Sequence, residues 1–137
     1  MAKDLFRFNT SELGKKIQAE LQAMPMKTKR AMDAVGGFLN GEAKERAPVD
    51  EGMLTADISN KTVEYSKSFA AVVYVPSNTP SANYAIPMHE NNYELGKNSA
   101  AKQKKVSVPV GKKFMTRALN DNRKKIVKII SDEVKLQ

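Results

Sequence analysis

The sequence predicts an α+β fold, with long N-terminal helices and a C-terminal helix packed on a small, mainly antiparallel β-sheet. Three observations carry this expectation. Apolar residues recur at helical spacing in the first third and last quarter of the chain. Between them, Phe69-Ala70-Ala71-Val72-Val73-Tyr74-Val75 is the most strand-prone run. Pro48 stands where the first pattern gives way to the second, and a proline cannot extend a helix.

Residues 1–8 alternate loosely, with Leu5, Phe6 and Phe8 around Arg7, as a short arm or strand does. Asn9 stands three residues before Glu12, a helix start of capping-box character. Leu13, Ile17 and Leu21 follow at helical spacing. Pro25 either kinks that helix or opens a new one. A second helical segment covers about 27–47, with Met32, Val35, Leu39 and Ala43 on one face. Gly36, Gly37 and Gly41 lie in it, each costing roughly 1 kcal/mol against alanine. Either they admit a close neighbour, a sheet or another subunit, or the helix is locally weak.

The corner reads Glu45-Arg46-Ala47-Pro48-Val49-Asp50-Glu51-Gly52-Met53-Leu54. Pro48 stops the helix and pushes Ala47 out of helical geometry. Asp50 is placed to bond downstream amides in an Asx-turn, and Gly52 takes a positive φ at little cost. An ordinary helix–turn–strand corner explains all of this. Strands are expected over 58–65 and 69–75, joined by Ser66-Lys67-Ser68. Tyr84 to Met88 and Val106 to Val110 read as short strands, and 90–105 as a long irregular loop. After Gly111, the stripe Met115, Leu119, Ile126, Ile130 and Val134 predicts one amphipathic helix whose default place is on the sheet.

The 137 residues fit one domain spanning 1–137. Hydrophobic residues at 41% and charged residues at 28% are a soluble globular composition. No apolar run approaches the ~20 residues that cross a bilayer, and the start has no signal-peptide pattern; no membrane partner is expected. The absence of cysteine excludes disulfides and thiolate chemistry. Net charge is +8, and residues 101–137 supply all of it, with 11 basic against 3 acidic side chains.

No catalytic set, cofactor or metal site emerges. His89 is the one histidine, and without cysteine a metal would lack the usual three or four ligands; a surface or hydrogen-bonding role is the expectation. Gly111-Lys112-Lys113 lacks the upstream glycine of a phosphate loop. Nucleic acid is the competing partner class. Lys102, Lys104, Lys105, Lys112 and Lys113, with the basic residues of the last helix, could neutralise phosphates. Phe114 is the only aromatic there, and the helical pattern buries it, so base stacking lacks its platform.

The ordered motifs resemble a family of tailed-bacteriophage neck proteins, known as tail-completion, head–tail joining or minor tail-component proteins. The matching pieces begin with Ala47-Pro48-Val49-Asp50-Glu51-Gly52-Met53-Leu54. Tyr84-Ala85 follows, with Glu90 soon after, and then Phe114-Met115-Thr116-Arg117-Ala118-Leu119. With the long helix before the corner, the two strands, the irregular loop and the final helix, the resemblance spans roughly 10–135. The family's glycine after the glutamate is replaced by Asn91-Asn92-Tyr93, and the proline usually just before the phenylalanine is displaced to Pro109. The resemblance marks Pro48, Asp50, Gly52, Leu54, Tyr84, Glu90, Phe114 and Leu119 as the structural signature. It implies a non-enzymatic virion component assembled in the host cytoplasm. Such a protein forms a homo-oligomeric ring around the DNA channel, between portal-proximal head-completion proteins and the tail terminator. The 90–105 loop would then order against a neighbour, and Lys102, Lys104, Lys105, Lys112 and Lys113 are candidate DNA-channel or partner contacts. The alternative reading is a non-specific basic DNA-binding protein.

Overall fold

The computed structural model describes residues 6–9, 25–66 and 68–135. Their order is β1 (Phe6–Asn9), α1 (Pro25–Arg46), α2 (Met53–Asp57), β2 (Ser59–Tyr65), β3 (Ser68–Tyr74), α3 (Ala82–Glu90), α4 (Lys97–Gln103), α5 (Phe114–Asp121) and α6 (Arg123–Glu133). This is an α+β architecture. The helix expected from Asn9 through Leu13, Ile17 and Leu21 lies outside the described residues.

The described part of α1 begins at Pro25, a residue suited to a first helical turn because its missing N–H would have no partner there. The helix buries Ala31, Met32, Val35, Leu39 and Ala43 along one face. Its last helical bond, from the Ala47 N–H to the Ala43 carbonyl, is 2.9 Å, and Pro48 ends it.

The sheet has the order β1-β3-β2, with both pairings antiparallel. Tyr65 pairs with Ser68, so the hairpin is tighter than the three-residue loop predicted. In the central strand, Ala70 to Val73 are all buried, as expected of a middle strand rich in small and β-branched residues. Helix α1 lies on β2 and β3. Three of its residues meet the edge strand at helical spacing. Asp33 accepts a hydrogen bond from the Thr62 hydroxyl. The amide of Asn40 donates to the Ile58 carbonyl at 3.2 Å and to Asn60 Oδ1 at 2.9 Å. Between them, a Cβ on Gly36 would sit 3.0 Å from Asn60 Nδ2. Close approach to a sheet therefore accounts for Gly36. Gly37 and Gly41 face open space and have no such neighbour.

The C-terminal stripe departs from expectation in two ways. It forms two helices, because the Asn122 amide turns back onto the Ala118 carbonyl at 2.8 Å and also reaches Glu42 Oε1 at 2.9 Å. Such side-chain bonds compete with helix continuation. Both helices pack chiefly on α1 rather than on the sheet, which places α1 between sheet and helices. Helix α6 runs antiparallel to α1, with Asn122 beside Glu42 at one end and Lys27 Nζ bonded to the Lys135 carbonyl at 3.3 Å at the other. Phe114, Met115, Ala118, Ile126 and Ile130 complete the core.

Candidate functional site

The corner after α1 is tied by side chains from far along the chain. Pro48 is buried and Gly52 has φ +85°. The short helix α2 follows directly, an element that was not expected between the corner and the strand predicted from Ile58. The predicted Asx-turn is not what holds the corner. No side-chain cap bond forms at the start of α2, and it is the Asp50 carbonyl that is fixed, by the Asn98 amide.

That amide belongs to α4, in the middle of the segment expected to be an irregular loop. Ser99 sits 4% exposed and uses one hydroxyl twice, accepting from the Val49 N–H at 2.7 Å and donating to the Val49 carbonyl at 2.9 Å. Lys102 Nζ donates to the Lys44 carbonyl and, at 2.7 Å, to the Ala47 carbonyl. These are carbonyls that a helix C-terminus leaves unpaired, at the negative end of the helix dipole. Burial lowers the Lys102 pKa, and the Glu45 carboxylate partly offsets this. Lys102, a candidate DNA or partner contact, is therefore an internal cap. Lys104 and Lys105 are exposed just beyond it.

The expected strand at Val106 to Val110 does not form. The Gln103 amide bonds that stretch instead, donating to the Val108 carbonyl at 2.9 Å and accepting from the Val110 N–H at 2.6 Å. The Gly111 N–H then donates to the Arg46 carbonyl at 2.9 Å. Arg46 itself is 2% exposed and is held by Glu42 and Asp121 at 3.2 Å each.

The second expected strand, Tyr84 to Met88, is helical and lies within α3. Asp57 holds its start, accepting from the Ser81 N–H at 3.0 Å and the Ser81 hydroxyl at 2.7 Å. At its end, His89 is buried, so of the two roles expected it takes the hydrogen-bonding one and not the surface one. Its ring meets Phe114 edge-on at 4.8 Å, and Nδ1 lies 2.7 Å from Glu90 Oε2. Glu90 also receives Lys113 Nζ at 2.5 Å. Burial lowers the His89 pKa; its Glu90 hydrogen bond opposes this, and Lys113 and Arg117 add to it. The bonds from Lys113 and His89 lower the Glu90 pKa. Lys112 reaches Asn92. Arg117 gathers the carbonyls of Lys112, Pro109 and Gly111 at 2.9, 2.7 and 3.3 Å.

The signature residues thus sort into two places. Pro48, Asp50, Leu54 and Tyr84 line one cleft of about 250 Å³, together with Tyr93, Glu94 and residues 96–99. Glu90 and Phe114 converge on His89, while Leu119 lies in the core. Gly52 shapes the backbone between. Tyr84 has its pKa raised by burial and then by Asp57, Asp50 and Glu51, so this side of the cleft is electrostatically negative. Sequence reasoning missed Arg46 and Ser99, and read Arg117 as a candidate phosphate contact, not as a tie to backbone carbonyls. Arg46 had a local signal, its place just before Ala47-Pro48; Ser99 acts on Val49, across a distance that no spacing reveals, whereas Arg117 folds back onto carbonyls of the turn just before its own helix.

Among the described residues no group of three or more His, Asp or Glu side chains is placed to hold a metal. No described helix is long and apolar enough to cross a membrane. No family model, curated protein or solved structure matches the chain.

Proposed function

We propose that this chain is a structural component of a tailed-phage virion that joins head to tail as an oligomeric ring around the DNA channel. In this role it catalyses no reaction. Its partners are further copies of itself, portal-proximal head-completion proteins and the tail terminator. The observation that supports the reading is that four of the signature residues, Pro48, Asp50, Leu54 and Tyr84, share one cleft. The Ala-Pro-Val-Asp-x-Gly-x-Leu corner, Tyr84 and the 93–99 segment are far apart in sequence yet build one cleft. A rigid corner with an open cleft suits a protein whose work is to be gripped by its neighbours.

The test is assembly. Native mass measurement and electron microscopy of the purified chain, alone and with a tail terminator, are expected to find closed rings. In a phage lacking the gene, DNA-filled heads and separate tails are expected to accumulate. A basic DNA-binding protein would behave otherwise: it would bind free duplex at low salt and release it steeply as salt rises. The internal engagement of Lys102 and the pairing of Lys113 with Glu90 leave fewer free cations for that reading than the sequence offers. Monomers that bind duplex in this salt-dependent manner would replace the ring proposal with the DNA-binding one.

A further inference from the structure

The cleft beside the corner has an apolar floor of Leu54, Tyr84 and Met88, with Met53 38% exposed at its mouth. Asp50, Glu51 and Glu94 are exposed on its rim, where Lys97 is the one basic residue. This acidic rim belongs to a chain whose net charge is +8. At about 250 Å³ the space falls below the ~300–1,000 Å³ of small-molecule pockets. It is shaped instead for a side-chain anchor.

A complementary surface exists on the same molecule. On α6, Lys124, Val127, Lys128 and Ser131 are exposed and fall at i, i+3, i+4 and i+7, opposite the buried Ile126 and Ile130. Val127 is 45% exposed, an apolar side chain set among cations. No residue of α6 lines the cleft, so the two surfaces are separate on one molecule.

We infer that the cleft receives the outward face of α6 from a second copy of this chain. Val127 enters beside Met53 and Tyr84, and Lys124 and Lys128 meet the acidic rim. Lys128 exchanges its exposed partner Asp132, a contact of little strength, for the rim carboxylates. Two different patches make a heterologous contact, which closes into a ring when its rotation allows. The inference rests on the ring reading and specifies its subunit contact.

The chain has no cysteine, so introduced thiols report without background. Met53→Cys and Val127→Cys proteins, mixed under mild oxidation, are expected to form a disulfide-linked heterodimer, with neither variant linking to itself. In parallel, E51K/E94K and K124E/K128E should each reduce assembly at least tenfold, and mixing the two should restore it. Thermal melts verify folding; should a charge variant fail to fold, the cysteine pair decides alone. Rings without the Met53→Cys–Val127→Cys link would overturn the cleft assignment and leave the ring reading intact. Block by one reversal with no rescue by the other would mean that the cleft holds a different occupant, and would also overturn it. A chain that stays monomeric at every concentration and with its partners would remove both.

Discussion

Lys102 and His89 show how much depends on where a titratable side chain ends up. Lys102 has the sequence context of a solvated cation, in a run with Lys104 and Lys105, yet its ammonium closes the end of α1. Hydrogen bonds to charged groups contribute about 1.5–3 kcal/mol. Lys102→Met is therefore expected to lower unfolding stability by about 1–2 kcal/mol, whereas Lys104→Gln and Lys105→Gln should stay within about 0.5 kcal/mol. Denaturant midpoints at unchanged slope would check this; equal effects at all three positions would contradict the cap.

His89 carries a pH consequence. Its folded-state pKa lies below the ordinary 6.5 because burial outweighs the bond to Glu90. As pH falls through the unfolded value, the unfolded chain takes up the proton first, so stability drops. The unfolding free energy should fall between pH 7.5 and 5.5 by at most about 1.4 kcal/mol per pH unit, and the melting temperature with it. His89→Gln should flatten that slope. Glu90 acts in a separate, more acidic window. Its pKa is lowered from 4.5, so the stability it contributes is present above that value and lost below it. Melts kept above pH 5 isolate the histidine.

At the scale of elements, α1 is read differently by its two sides. A Cβ on Gly36 would come 3.0 Å from Asn60 Nδ2, so that side chain would have to shift, while Gly37 and Gly41 face open space. Gly37→Ala and Gly41→Ala should each stabilise the isolated chain by about 0.5–1 kcal/mol through helix propensity. Gly36→Ala should lose that gain by displacing Asn60. Thermal melts of the three single variants test this, and a gain at Gly36 equal to the other two would sink the packing argument.

The same contrast explains what sequence could disclose. Helix α1, the β2–β3 hairpin and the proline corner were legible because periodicity and proline sterics act locally. Helix α4 was not: Lys97-Asn98-Ser99-Ala100-Ala101-Lys102-Gln103 has no apolar stripe, and its stability comes from Val49 and Ala47, fifty or more residues away. Tyr84 to Met88 misled because an apolar run around a proline reads as extended. Asp57 at Ser81 sets it as a helix instead. The signature residues of the site were legible one by one, but their meeting in a cleft depended on α4 and was not.

At the scale of the molecule, charge is unevenly shared. Residues 101–137 hold the whole excess, but the fold withdraws Lys102 and ties Lys113 and Arg117 inward. Lys104 and Lys105 remain exposed at one end of α4. If rings form around DNA, these two are the lysines of that run available to the lumen. A Lys104→Gln/Lys105→Gln protein should fold and assemble as the parent does while particles retain packaged DNA less well. Unchanged retention would assign the pair to solvation alone.

The clasp between α4 and the end of α1 also provides a clock. An amine held against two carbonyls cannot attack an acylating reagent until it is released, whereas the neighbouring amines react at once. Mass fingerprints taken over time would thus show Lys104 and Lys105 modified early and Lys102 late. The lag would count how often this helix lifts from the corner, and lengthening of it in a ring of the proposed kind would show that assembly holds the clasp shut.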